Sequence, residues 1–275
     1  MTIEEKFNRL KEILRSFESV AVAFSGGVDS TFLLKVAHDV LKNNAVAITA
    51  ASSFVPQREI EEAKNFCAAE NIRQIIFKAD VLSIDGVKEN PQNRCYLCKY
   101  SLFKNFLNIA AENKISCVVE GSNKDDEGDY RPGMKALAEL KIKSPLRSAG
   151  LFKYEIRQLS QKLNLPTADK PSMACLATRF VYGEILTAEK LARVETAENF
   201  LYDAGFKQLR VRVHNNLARI EILPADFEKI FNVREKIIAE FKNFGFDYIT
   251  LDLQGYRSGS MNLNLKTPVN TQPAG

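Results

Sequence analysis

The chain has 275 residues, 45% of them hydrophobic and 26% charged, with 38 basic against 34 acidic side chains and a formal net charge of +4. That balance fits one large or two ordinary globular domains; it offers no apolar run of about 18 residues for a membrane span and is too mildly basic to argue for nucleic acid. The start, Met1-Thr2-Ile3-Glu4-Glu5-Lys6, is polar rather than signal-like, so a cytoplasmic protein is expected, and its five cysteines predict no structural disulfides.

Residues 3–17 carry Phe7, Leu10, Ile13, Leu14 and Phe17 at helical spacing. Val20 to Phe24 is a short apolar run that stops at Ser25-Gly26-Gly27, and a helical pattern restarts at Asp29 and Ser30 and continues through Phe32, Leu33, Val36 and Val40. Strand, glycine loop and helix in that order make an anion site. The glycines let backbone N–H groups approach a phosphate, and the helix N-terminus adds partial positive charge. Ser25 and Ser30 add hydroxyl donors, and Asp29 is placed to hold a magnesium ion between phosphates. The loop is not a Walker A motif, because the Gly-Lys-Ser/Thr ending is absent.

Further strands are expected at residues 45–50, 74–77 and 115–119, with helices from Pro56 to Ala69 and from Leu97 to Asn113 between them. This alternation predicts an α/β domain with a doubly wound parallel sheet and ligands at the C-terminal strand ends. Ser25-Gly26-Gly27 and Glu120-Gly121-Ser122-Asn123 both fall at such ends, and Ser52 lies where an adenosine would sit if the first loop holds phosphates. An irregular acidic loop follows, with Asp129, Tyr130 and Arg131 in it, then a helix from Lys153 to Leu163 and a connector carrying Lys170 to Arg179. From Thr187 the pattern becomes α+β: a helix to Ala204, strands at 208–213 and 217–222 joined by Asn215-Asn216, a helical stretch from Pro224 to Phe244 and a strand at 248–253. The expected division is 1–180, a smaller C-terminal α+β domain at 181–257, and a mobile tail at 258–275.

Cys95 and Cys98 stand one helical turn apart, flanked by Arg94 and Lys99, which favour thiolates. Half a zinc site, a dithiol pair and part of an iron–sulfur site all fit that spacing. Cys175 sits alone in the connector and would bring the count to three if it folded back. Cys67 and Cys117 read as small core residues. Alternation puts Arg210, Arg212 and His214 on one strand face, opposite Arg219 and Glu221, suiting either a phosphate or a salt-bridged surface. Glu195 and Glu198 on the preceding helix pair with such arginines or bind a metal; the sequence leaves both open.

The Ser-Gly-Gly-x-Asp-Ser loop resembles the signature of the PP-loop ATP pyrophosphatases, whose fold is adenine nucleotide alpha hydrolase-like. Together with Glu120-Gly121-Ser122-Asn123, Asp129-Tyr130-Arg131-Pro132-Gly133, Ala174-Cys175-Leu176-Ala177-Thr178-Arg179, Tyr182-Gly183-Glu184, Arg210-Val211-Arg212, Ala218-Arg219-Ile220-Glu221 and Gly255-Tyr256-Arg257, it resembles the LarE family over residues 5–260. The resemblance implies an ATP-dependent sulfur transferase of nickel-pincer nucleotide biosynthesis, serving lactate racemase maturation. It would adenylate a carboxylate of pyridinium-3,5-biscarboxylic acid mononucleotide and put sulfur in place of oxygen. ATP and Mg²⁺ are implied at Phe24, Ser25, Gly26, Gly27, Asp29, Ser30, Ser52 and Gly121, with Asp29 on the metal. Asp129, Tyr130, Arg131, Arg179, Arg210, Arg212 and Arg257 are implied at the substrate. The family offers two sulfur sources: a sacrificial cysteine at Cys175, left as dehydroalanine, or a [4Fe-4S] cluster on Cys95, Cys98 and Cys175, favoured because all three are present. A homohexamer is implied, with no nucleic acid and no membrane partner. The rival readings are a PP-loop tRNA thiolation enzyme, which would bind tRNA at physiological salt, and a zinc-stapled nucleotide sensor, which would bind ATP without turnover.

Overall fold

A computed structural model describes residues 1–127, 132–171 and 174–257. Asp129, Tyr130, Arg131 and the stretch 258–275 lie outside the described residues. The chain divides into two compact units, Met1–Cys175 and Leu176–Gly275.

The first unit is built on a parallel sheet of β1 (Val20–Ala23), β2 (Ala45–Ala51), β3 (Gln74–Lys78) and β4 (Cys117–Val119), in the order β3-β2-β1-β4. Its helices are α1 (Ile3–Arg15), α2 (Val28–Leu41), α3 (Gln57–Ala69), α4 (Arg94–Glu112), α5 (Pro132–Glu139), α6 (Pro145–Ser148) and α7 (Lys153–Lys162). Strand alternation sorts two cores. Val20, Val22, Ala45 and Ala47 pack with Leu10, Leu14, Phe32, Phe66 and Ile156, while Ala21, Ile48 and Val118 pack with Phe103, Phe106 and Leu137. With both faces covered, these strands read as continuous apolar runs, and the sheet is doubly wound. The strand order reverses between β1 and β4, so the loops leaving those two strands border the crevice where such sheets bind ligands. Beyond β4, Val119 forms a parallel bridge with Lys143, an extension that no apolar run in the sequence announces.

The second unit holds α8 (Ala188–Asp203), β5 (Leu209–His214), β6 (Leu217–Ile222), α9 (Phe227–Asn232), α10 (Arg234–Asn243) and β7 (Tyr248–Leu251). Strands β5 and β6 form the expected antiparallel hairpin, with Asn215 in the left-handed region, and β7 adds to β6 in parallel. The helical stretch after Pro224 is interrupted at Val233 rather than continuous. Leu191, Val194, Ala197 and Leu201 repeat at helical spacing on α8 and are buried, as are Val211, Val213, Ile220 and Phe241 of the same unit.

Candidate active site

The loop after β1 is pinned from the sheet side and open on the other. Phe24 donates its N–H to the Ile48 carbonyl at 2.9 Å, and its own carbonyl accepts from Thr49 Oγ1 at 2.9 Å. Gly26 then turns through φ +73°, a conformation that side chains other than glycine strain to adopt. Ser25 and Ser30 hydroxyls lie 3.1 Å apart across the loop, and Ser30 Oγ donates back to the Gly27 carbonyl at 3.1 Å. Helix α2 begins at Val28, and its N-cap residue, Gly27, supplies no side-chain cap. Among the described residues, the N–H groups of Gly27, Val28, Asp29 and Ser30 donate to no acceptor. A row of unclaimed N–H groups at the end of a 14-residue helix is an anion-binding arrangement.

The loop after β4 closes on it. A Cβ on Gly121 would stand 3.1 Å from Ser30 N and 3.3 Å from Asp29 Cβ, so glycine there lets the two backbones meet. Glu120 is buried and ties this loop together through Ser122 N at 3.0 Å, Ser122 Oγ at 2.7 Å and Ser144 Oγ. Asn123 Nδ2 donates to Asp29 Oδ1 at 3.3 Å, while Lys153 at the start of α7 pairs with Asp29 Oδ2. Asp29 therefore sits between an amide and an ammonium, and it keeps partial solvent access. Its carboxylate at the crevice fits a magnesium ion by charge and oxygen chemistry, in exchange for Lys153. Ser52, after β2, accepts from Phe54 N at 3.3 Å and shapes the turn beside the sheet's C-terminal edge.

Lys153 is the site residue that sequence reasoning missed. It read as the first residue of a helix, and only the packing of α7 carries its ammonium to Asp29. The signal available was Lys153 and Arg157 one turn apart on a helix otherwise offering an apolar face.

The three cysteines converge within the first unit. Arg94 is buried and reaches Cys95 Sγ at 3.8 Å and Cys175 Sγ at 3.9 Å. Asn90 accepts from the same guanidinium, which also lies over the Phe54 ring at 6.0 Å. Burial pushes the Cys98 thiol up to about 12, and the neighbouring Cys175 and Cys95 add to that shift against Arg94 and Lys99. Cys67 is likewise pushed up to about 12 by burial, as befits a core thiol, and Cys117 packs against the same core. Among the described residues, no group of three His, Cys, Asp or Glu side chains is gathered to hold a single metal ion. The sulfurs of Cys95 and Cys175 meet the Arg94 guanidinium, and Cys98 stands close enough to feel both.

In the second unit Arg179, Arg210 and Arg212 are buried, at 0%, 3% and 5% exposure, so the β5 face that Arg210 and Arg212 share is covered rather than open. Arg179 grips Glu198 with both Nε and Nη2, at 2.9 and 2.8 Å, and Glu198 also accepts from Val211 N at 2.9 Å. Arg212 Nε donates to Glu221 at 3.0 Å and Nη1 to the Thr178 carbonyl at 2.9 Å; Arg219 donates to the other Glu221 oxygen at 3.1 Å. Arg210 lies over the Tyr256 ring at 5.1 Å. Arg257 Nε is buried with no hydrogen-bond partner among the described residues. Burial pushes Glu198 up, but Arg179 outweighs it by charge and hydrogen bonding and holds the carboxyl below its usual range. Glu198→Ala would leave Arg179 buried without its partner and is expected to cost about 3–5 kcal/mol, read as a lower urea midpoint. The sign with pH is fixed: Glu198 contributes above the unfolded value of about 4.3, and that contribution is lost as pH falls through the lower folded value.

The family model of the PP-loop domain matches residues 1–130. The chain is 42% identical over 262 residues to an uncharacterized protein of Synechocystis, covering 94% of this chain and 98% of that one. It is 37% identical over 262 residues to the pyridinium-3,5-bisthiocarboxylic acid mononucleotide synthase of Lactiplantibacillus plantarum, covering 95% of each. A third relative, an uncharacterized protein of Methanocaldococcus jannaschii, is 32% identical over 251 residues, covering 91% of this chain and 95% of that one.

Proposed function

Because the chain belongs to the LarE family of ATP-dependent sulfur transferases, we propose that it adenylates a carboxylate of pyridinium-3,5-biscarboxylic acid mononucleotide, then replaces the activated oxygen by sulfur, releasing pyrophosphate and AMP. The observation that carries the nucleotide half of this reading is the uncapped start of α2, with four N–H groups free of acceptors among the described residues and Asp29 beside them. Gly26, Gly27 and Ser30 bind the pyrophosphate end of ATP, with Ser25 as a second hydroxyl donor. Asp29 holds Mg²⁺, which supplies charge neutralisation on the phosphates. A magnesium ion at Asp29 would take the place of the Lys153 ammonium there, and Lys153 would then be within the site as a cation for a phosphate oxygen. Phe24, Gly121 and Ser52 shape the nucleotide pocket. Adenylation turns a poor leaving oxygen into AMP, and this lowers the barrier to attack by sulfur.

Cys95, Cys98 and Cys175 would hold a [4Fe-4S] cluster in this reading, supported by Cys95 and Cys175 meeting at Arg94 with Cys98 close by. A cluster held by these three cysteines would leave one iron open to carry an extra sulfide as the attacking sulfur. Arg257, with Asp129, Tyr130 and Arg131, is assigned to contact the substrate and its phosphate directly, while Arg179, Arg210 and Arg212, buried against Glu198 and Glu221, are assigned to act on it only from behind that layer of counter-charges. Arg257 is the member with a buried donor left over. The family resemblance alone carries assembly as a homohexamer, a cytoplasmic setting and the downstream lactate racemase.

The test is to incubate anaerobically purified protein with ATP, Mg²⁺ and the biscarboxylated mononucleotide. AMP, pyrophosphate and a thiocarboxylated product by mass spectrometry are expected. Turnover of ATP that does not depend on the mononucleotide, with no sulfur in the product, would sink the reading.

A further inference from the structure

Lys170 reaches the glycine loop from the connector between α7 and Cys175. Its ammonium donates to the Gly26 carbonyl at 3.1 Å and pairs with Glu59 at 2.6 Å and Glu62 at 2.7 Å, both on α3. The side chain is 13% exposed. Burial alone would lower its pKa, but the hydrogen bonds to Glu59 and Glu62 outweigh burial and hold it above the usual lysine range, so the cation is permanent at neutral pH. The connector is itself fixed. Arg157 on α7 donates to the Ala168 carbonyl at 2.5 Å and to the Lys170 carbonyl at 2.9 Å.

The Gly26 carbonyl and the Gly27 N–H belong to one planar trans peptide and point in opposite directions. An ammonium that fixes the carbonyl therefore fixes the N–H as well. Gly26 needs such a hold, because glycine at φ +73° has no side chain to limit its rotation. Glu59 adds to the frame from the same side: its carbonyl lies 3.4 Å from where a Gly26 Cβ would stand. A cation on the carbonyl also polarises the peptide and strengthens the N–H as a donor.

We propose that Lys170 is a positioning residue for the phosphate loop: it holds the Gly26–Gly27 peptide with its N–H turned toward the anion, while Glu59 and Glu62 neutralise its charge so that it does not itself bind phosphate. This rests on the reading of the loop as the pyrophosphate site. The same contact ties the loop that holds the nucleotide to the segment that carries Cys175.

The probes are inorganic pyrophosphate with Mg²⁺, and AMP, each titrated calorimetrically into the full chain. Lys170→Met is expected to weaken pyrophosphate about tenfold and AMP by less than about twofold, with KM for ATP rising more than kcat falls. Lys170→Arg, which keeps the cation, should restore pyrophosphate binding to within about threefold of wild type. Should Lys170→Met fail to fold, Lys170→Gln, which keeps a polar head but removes the cation from the Gly26 carbonyl, is expected to give the same split. Equal losses for the two ligands, or no loss of pyrophosphate in these variants, would overturn the proposal. A wild-type chain that binds no pyrophosphate overturns the reading of the loop itself, and with it the role of Lys170.

Discussion

Replacing Asp29 by Ala is expected to lower pyrophosphate release by about a thousandfold, the scale seen when one element of charge stabilisation at a reacting phosphate is removed. The argument is local. Asp29 lies in the first turn of α2, beside N–H groups that have no other acceptor among the described residues, and its two oxygens face Asn123 and Lys153. On the proposed reading, loss of the carboxylate removes the anchor of the magnesium ion, and in the structure it leaves Lys153 without its partner Asp29. Stability should change little, because Lys153 is 32% exposed and can be solvated, and alanine is well tolerated in a helix. Asp29→Asn separates charge from shape. It keeps the size and a hydrogen bond for Asn123 but not the negative charge, and it is expected to lose nearly as much activity as Ala. Initial rates of pyrophosphate release, at saturating Mg²⁺ and with urea midpoints measured in parallel, check both variants. Release at the wild-type rate by either one removes Asp29's charge from the mechanism.

Cys175→Ala is expected to abolish sulfur transfer outright while ATP is still split, and the behaviour of Cys95→Ala and Cys98→Ala decides why. Cys95 and Cys175 meet at Arg94, and Cys98 feels both others. On the cluster reading, each variant loses iron and each loses transfer, and the wild-type protein purified without oxygen is brown. On the sacrificial reading only Cys175 is needed. Its sulfur then stays with the thiocarboxylate and the residue is left as dehydroalanine, visible by mass spectrometry as loss of the elements of H₂S from the chain. Cys67→Ala is the control. It sits in the apolar core at 2% exposure, so it should lower stability and leave sulfur transfer alone. Iron content, the visible spectrum and product mass read the whole series.

Much of the first unit is legible in the sequence because its signals are local. The apolar runs at residues 20–24 and 45–50 are strands buried on both faces, and the Ser-Gly-Gly turn followed by a helix start needs only neighbouring residues to make an anion site. The α8 helix and the β5–β6 hairpin are readable for the same reason, through helical spacing and a two-Asn turn. The C-terminal stretch after Pro224 is less so. The interruption at Val233 carries no glycine or proline to mark it.

What the sequence determined alone, then, is the chemistry available: a phosphate loop, three placeable thiols and an arginine-rich strand. The tertiary structure decided which of these groups meet. Lys153 and Asp29 are 124 residues apart, Lys170 and Gly26 are 144, and Arg94 and Cys175 are 81, so no periodicity or spacing rule connects them. The tertiary structure also decided that Arg210 and Arg212 lie under cover with Glu221 and Glu198 as counter-charges, where strand alternation admits an open basic face equally well. Alternation fixes which side of a strand a side chain leaves, and only the packing of distant segments fixes what it finds there.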